Sequence, residues 1–164
     1  MHMDRPVKKL SLYLETSVWN FIFADDAPDK RDATKRFFKE IKEGRYEIYI
    51  SNLVYDEIAD TRGPKREQLE QLIREYSPTQ VASNEKVQEL VGAYLESGVV
   101  PKGSEEDAFH IAYAVSHNLD VVVSWNLKHI VRLKTRMLVN GINKLLGYKE
   151  IEIVTPEEVI GDGS

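Results

Sequence analysis

The 164-residue chain contains no cysteine. Disulfides, zinc–thiolate centres and thiol nucleophiles are therefore excluded. No stretch approaches the roughly 18 consecutive apolar residues of a membrane span, so no membrane partner is expected. The amino-terminal MHMDRPVKK has no apolar segment before the first strand and does not read as a secretory signal, which makes the cytoplasm the expected compartment. There is no GxSxG turn, no glycine-rich phosphate loop and no dinucleotide fingerprint. Those gaps argue against a serine hydrolase, a P-loop NTPase and a nicotinamide enzyme. No DxD follows the first strand, as an aspartyl-nucleophile phosphatase would require. No two histidines have the HxxxH spacing of a zinc helix.

What is present is an ordinary globular composition, 42% hydrophobic and 30% charged. The length fits one domain over 1–164, with its core at about 8–160. Net charge is −5, which argues against a general nucleic-acid coat, since phosphate binding rests on Lys and Arg. The charge is unevenly placed. From Val121 to Lys149 there is no acid, while Lys128, Arg132, Lys134, Arg136, Lys144 and Lys149 all fall there. Such a segment is either a solvated helix face or a local hold on a phosphate backbone.

Hydrophobic periodicity predicts alternating strands and helices. KLSLYLE reads as a strand with Leu10, Leu12 and Leu14 on one face and Ser11, Tyr13 and Glu15 on the other. SVWNFIFA follows as a short helix or turn. PDKRDATKRFFKEIKEG is a helix with Pro28 near its start and Gly44 at its end. YEIYIS is a strand, NLVYDEIADTR a helix broken by Gly63-Pro64, and KREQLEQLIREY another helix. QVAS is a short strand and EKVQELVGAYLESG a helix closed by Gly98. SEEDAFHIAYAVSHN is a helix, and LDVVVSW is apolar enough for a parallel strand covered on both faces. Residues 127–147 read as mainly helical. EIEIVT is a last strand before a short helix, and GDGS reads as a frayed tail. The pattern predicts a three-layer α/β/α fold with a mostly parallel central sheet.

In such sheets ligands bind outside the carboxyl ends of the strands. Glu15 and Asn126 fall at strand ends, and Glu57 lies early in the helix after the second strand. Asp107 opens a later helix. Each has a purely structural alternative. Glu15 can be a strand-end acid facing water. Glu57 shares a helix face with Leu53, Val54, Ile58 and Thr61, and can be an acid paired with Arg or Lys. Ser104 to Asp107 matches a capping box. Asn126 can cap the next helix or offer a cation its carbonyl oxygen. His110, one turn below Asp107, contacts substrate, supports another site residue, or packs; His117 and His129 read as surface residues. Thr16 and Ser17 follow Glu15 and can cap a helix or hold a bound water.

Taken in order, these segments resemble the PIN domain, the fold of many small ribonucleases that include VapC-type toxins of toxin–antitoxin pairs. The motif residues are Glu15 after the first strand, Ser51 to Glu57 after the second, Asp107 with His110-Ile111-Ala112-Tyr113-Ala114, and Ser124-Trp125-Asn126. The resemblance spans about Leu10 to Ile160. The family's first and last acids are usually Asp, whereas this chain has Glu15 and Asn126; the SWN-LKHI segment resembles a distinct subgroup. The resemblance implies an endoribonuclease in which Glu15, Glu57 and Asp107 hold Mg²⁺ or Mn²⁺, with Asn126 as a fourth catalytic position. It implies that Thr16, Ser124 and His110 touch a bound water or substrate, and that Lys128, Arg132 and Arg136 hold RNA. It also implies a homodimer and a small antitoxin partner. The neutral Asn126 motivates one alternative, a module with weakened catalysis that binds RNA or a protein.

Overall fold

The computed structural model describes residues 8–160. The two chain ends read above as lacking a signal and as a frayed tail lie outside the described residues. Five strands are present among them: β1 (Leu10–Leu14), β2 (Tyr46–Ser51), β3 (Thr79–Val81), β4 (Val121–Val123) and β5 (Glu152–Val154). All pair in parallel, in the order β3-β2-β1-β4-β5. The helices are α1 (Thr16–Asn20), α2 (Pro28–Lys42), α3 (Asn52–Ala59), α4 (Pro64–Tyr76), α5 (Glu85–Glu96), α6 (Glu105–Ser116), α7 (Leu133–Leu146) and α8 (Pro156–Ile160), with a 3-10 turn at Phe21–Phe23. No helix among the described residues is long and apolar enough to cross a membrane. The expected α/β fold is present, with a sheet that is parallel throughout.

Strand side chains alternate between faces, and the two faces feed two cores. Leu12, Leu14, Ile48, Ile50, Val121 and Val123 pack with residues of α1, α2, α3 and α4. Tyr13, Val122 and Ile153 pack on the opposite side with α5, α6 and α7. Burial on both faces explains why β4 reads VVV with no polar alternation. Gly44 and Gly98 follow α2 and α5 with φ of 80° and 70°, the left-handed conformation that ends a helix cheaply at glycine.

The stretch 127–147 is mainly helical as expected, except at its start. Residues 127–132 are not helical, and α7 begins only at Leu133. The Asn126 carbonyl accepts from both Ile130 and Val131 N–H, and its side-chain Oδ1 accepts from His129 N–H at 3.0 Å. These bonds close a turn, after which Arg132 is extended (φ −149°, ψ 153°) and the helix restarts. Lys128 and Arg136 therefore do not share one helix face.

The chain builds β2 and β3 to one side of β1, then crosses to build β4 and β5 on the other. The reversal lies between β1 and β4, the position at which open α/β sheets form a crevice. Glu15 leaves β1 there, and Ser124 to Asn126 leave β4 there.

Candidate metal centre

Glu15 terminates β1 with its backbone N–H donating to Val123 O at 3.0 Å. It is the cap residue of α1 but makes no side-chain cap bond, and its side chain is almost wholly buried. Its Oε1 instead accepts from Ser17 Oγ and Ser124 Oγ, each at 2.6 Å. Ser17 Oγ is itself fixed by Trp125 N–H at 2.8 Å, and Ser124 Oγ by Asn126 N–H at 2.9 Å. The hydroxyls thus tie the end of β1 to the end of β4 through one carboxylate oxygen.

Glu57 reaches the same place from α3. Val54 and Ile58 bury the helix face beside it, leaving the carboxylate at the rim of the core. Its Oε1 accepts from Thr16 Oγ1 at 2.5 Å and bonds His110 Nε2 at 2.6 Å. His110 has no exposed surface. Its other ring nitrogen meets Tyr13 Oη at 2.6 Å, and Tyr13 Oη meets Ser51 Oγ at 2.8 Å. Ser51, the residue before α3, makes no cap bond for that helix because its hydroxyl serves this chain. With an Nε2–H donating to Glu57, Nδ1 accepts from Tyr13 and Tyr13 accepts from Ser51. Every group in the buried relay is then satisfied.

Ligand atoms of Glu15, Glu57 and His110 lie within 4.8 Å of one another. Asp107 stands outside that group, on α6 one turn before His110. Its Oδ2 pairs with His129 Nδ1 at 3.0 Å. Its backbone N–H donates to Ser104 O, and Ser104 makes no side-chain cap bond, so the capping box that was the structural alternative for Asp107 does not form. His129, read from sequence as a surface residue, is instead half-buried against Asp107. The turn closed by Asn126 is what presents it.

These contacts set the electrostatics. Burial alone would raise Glu57; the bond and charge of His110, with the Thr16 bond, outweigh it and hold the carboxyl below its ordinary range. Burial alone would lower His110; the bond to Glu57 and the charges of Glu15, Glu57 and Asp107 outweigh it and raise the imidazole. Asp107 is raised, chiefly by burial, with the Glu15 charge adding and the His129 bond opposing.

The remaining oxygens decide what the cluster fits. Glu15 Oε2, Glu57 Oε2 and Asp107 Oδ1 have no protein hydrogen-bond partner among the described residues. None of them is sealed from solvent without a partner; among the described residues that condition applies only to Trp19 Nε1 and Asn143 Nδ2. Among the described residues no Lys or Arg forms an ion pair with these three acids. The Arg or Lys partner considered for Glu57 is therefore absent. Each carboxylate has one oxygen fixed and one open, which is an uncompensated set of hard donors suited to Mg²⁺ or Mn²⁺. His110 is the less suitable third ligand, because its Nε2 is engaged with Glu57.

Other expected site residues are placed differently. Thr16 and Ser124 are buried and orient Glu57 and Glu15; in this arrangement neither hydroxyl faces a substrate. The same holds for His110, whose two nitrogens are occupied. Asn126 spends its side-chain carbonyl oxygen on the 127–130 turn and does not cap the next helix, whose cap residue is Arg132. The Arg132 guanidinium donates to Thr135 Oγ1 and to the Val99 carbonyl, so its expected hold on RNA gives way to a structural one. Lys128 is exposed and Arg136 half-buried, and neither has a side-chain partner among the described residues.

Sequence comparison agrees with this geometry. The PIN domain family pattern matches residues 12–129, which include every acid of the cluster. No curated protein matches the chain. Among solved structures, the chain is similar to one chain of the crystal structure of VapBC2 from Rickettsia felis bound to a DNA fragment from their promoter. The TM-score is 0.54 at 15% identity, covering 89% of this chain and 98% of that one. The similarity there is one of fold. With the family pattern spanning most of the domain and the acids gathered at the sheet's reversal point, the chain belongs to the PIN domain family.

Proposed function

We propose that this protein is an endoribonuclease dependent on Mg²⁺ or Mn²⁺, with Glu15, Glu57 and Asp107 holding the ion. PIN domains are generally nucleases. The observation that carries the reading here is the half-fastened state of the three carboxylates. Each has one oxygen held by hydroxyl or imidazole donors and one open oxygen, with no Lys or Arg among the described residues paired to it. When bound, a divalent cation supplies Lewis acidity toward a water and a phosphodiester oxygen.

The chain's own residues then have distinct tasks. Ser17 and Ser124 fix the rotamer of Glu15, and Thr16 and His110 fix that of Glu57. Supporting contacts of this kind are worth about 10–100-fold in metal affinity or activity. His129 does the same for Asp107. The Asn126 amide nitrogen, free of protein partners, donates to a phosphate oxygen or a water. Lys128 and Arg136 attract the RNA backbone as point charges.

The RNA preference follows the ribonucleases this chain resembles. The solved structure of similar fold comes from a VapBC2 assembly. By extension, this protein is the toxin of a toxin–antitoxin pair, a homodimer blocked by a small antitoxin. Light scattering should then give twice the 18.8 kDa chain mass.

The test is cleavage of single-stranded and structured RNA with Mn²⁺, Mg²⁺ or EDTA, beside Glu57→Gln and Asp107→Asn. Metal-dependent cleavage lost in both variants is the expected result. RNA binding without cleavage under any condition favours the second reading, a binding module. That reading draws on the neutral Asn126, whose oxygen is committed to the turn.

A further inference from the structure

Helix α7 is apolar on two opposite faces. Its inner face carries Thr135, Val139 and Asn143 into the core, with Leu138 and Ile142 packed beside them. Its outer face carries Leu133, Met137, Gly141 and Leu145, four residues apart and so aligned in one stripe about 18 Å long. Leu133 and Met137 are each 65% exposed, and Leu145 is 86% exposed. A helix on the surface of a globule has polar residues on that side. Single exposed apolar residues are ordinary, but a contiguous row of them marks a contact surface.

The surroundings of the stripe are specific. Lys134 is three residues before Met137 and Lys144 three after Gly141, which places one exposed lysine on each flank. Neither forms an ion pair among the described residues. Every charged residue of α7 is basic, and no acid occurs from Val121 to Lys149. Gly141 lies in the middle of the stripe. A Cβ added there would meet nothing within 4 Å, so packing inside this chain does not require the glycine. Glycine weakens an exposed helix relative to alanine. What it provides here is a notch between Met137 and Leu145.

We propose that the outer face of α7 docks an acidic amphipathic helix from a partner protein. The contact side of that helix carries apolar residues at three- and four-residue spacing, one of them seated over Gly141. Its flanks carry Glu or Asp against Lys134 and Lys144. Apolar anchors at this spacing are how an amphipathic helix is held on an apolar surface, and complementary charge at the rim sets its register. Other occupants fit less well. A second copy of α7, running in either direction, brings only cations toward Lys134 and Lys144. A phosphate backbone matches the lysines but leaves Leu133, Met137 and Leu145 uncovered. A lipid surface has no side chain to fill the notch at Gly141. The inference rests on α7 alone and stands apart from the nuclease reading.

The test is a phage-displayed library of helical peptides, randomised on one face and its flanks, selected against the full chain. The expected outcome is enrichment of peptides with an apolar stripe and acidic flanks. The leading peptide, synthesised with a fluorescein label, should bind in anisotropy, and added NaCl should weaken it. Met137→Glu should weaken it at least about 10-fold, as for loss of a central anchor. Gly141→Gln fills the notch with a better helix former. It should weaken binding by a similar factor while the variant unfolds at no lower temperature than wild type, which separates lost docking from lost folding. No enrichment, enrichment of basic or neutral peptides, or binding unchanged by both substitutions overturns the proposal. A dimer that Met137→Glu converts to monomer in light scattering overturns it in favour of a second copy. Cosedimentation with phosphatidylserine vesicles that Met137→Glu abolishes overturns it in favour of a membrane.

Discussion

The two edges of the sheet treat their carboxylates in opposite ways. At the amino-terminal edge, Asp120 precedes β4. Its Oδ2 accepts from Ser11 N–H at 2.9 Å and Ser11 Oγ at 3.0 Å, and its Oδ1 pairs with Lys149 Nζ at 2.9 Å. Both oxygens are occupied and the charge is neutralised. At the carboxyl-terminal edge, Glu15, Glu57 and Asp107 each keep one oxygen open; His110 and His129 contact one oxygen each of Glu57 and Asp107, and no Lys or Arg among the described residues pairs with any of the three. Like charges gathered in a half-buried crevice are destabilising unless something external compensates them. Asp120 serves the fold alone. The other three accept an electrostatic cost that the fold leaves uncompensated, as functional sites commonly do.

The largest expected effect separates the two edges by activity. Glu57→Gln keeps the shape of the side chain but removes the charge. Cleavage by the variant should fall more than about 100-fold, beyond the range for supporting residues. Asp120→Asn should cleave at the wild-type rate, since its bonds lie at the far edge of the sheet. Single-turnover rates on one RNA at saturating Mn²⁺ measure both. Equal losses would mean that the contrast between the edges has no functional content.

Metal should also reveal itself without any substrate. An ion bound only by the folded state raises stability by about 2.7 kcal/mol at 100 times its dissociation constant. Thermal unfolding with and without Mn²⁺ should show that gain in the wild type and in Asp120→Asn, and lose most of it in Glu57→Gln. A gain of the same size in all three proteins would move the ion away from Glu57.

A smaller effect tests whether the open edge is supported from the core. Tyr13→Phe removes the hydroxyl between His110 and Ser51 and leaves both without their buried partner. An orphaned buried polar group costs about 1–3 kcal/mol. Urea unfolding should report that loss, and Mn²⁺ affinity should weaken as His110 loses its orientation. A loss of stability with unchanged Mn²⁺ affinity would make the relay purely structural.

Much of this contrast is legible in the sequence, and the part that is not has a common cause. The apolar run at Val121–Val123 and the alternation in LSLYL identify central strands, because burial on one or both faces writes itself into local pattern. Glu57 stands out for a related reason, as an acid on a helix face where the pattern expects the core side, and Glu15 by its place at the end of a strand. Their supports do not stand out. His110 reaches Glu57 across 53 residues, and His129 reaches Asp107 across 22. Nothing in local periodicity announces a partner so distant. The one available clue was Tyr13, which shares the Glu15 face of β1 and brings a hydroxyl that must be satisfied when buried. Arg132 failed in the opposite direction. A basic residue in a basic segment reads as a phosphate contact, yet a neighbouring backbone carbonyl, Val99 O, had claimed it. Asn126 had two readings, a helix cap and a cation ligand; its side-chain oxygen instead closes a local turn with His129 N–H, three residues on, and the helix starts only at Leu133.

The smallest effect concerns the closed edge and its pH dependence. Partial burial opposes ionisation of Asp120, but the Ser11 and Lys149 bonds outweigh it and hold the carboxyl down at about 2. In the unfolded chain an aspartate titrates near 3.9. The folded state therefore binds the proton more weakly, and Asp120 adds stability wherever it is ionised in both states, above about pH 4. That contribution fades as pH falls from about 4 toward 2. Lys149 is partly exposed, so solvent screening reduces the contribution to about 1 kcal/mol. Asp120→Asn should be less stable than wild type by that amount at pH 7, and the gap should close by pH 2. Denaturation midpoints across this range measure it. A gap that stayed constant with pH would mean that the loss comes from hydrogen-bond geometry at Ser11 and not from charge.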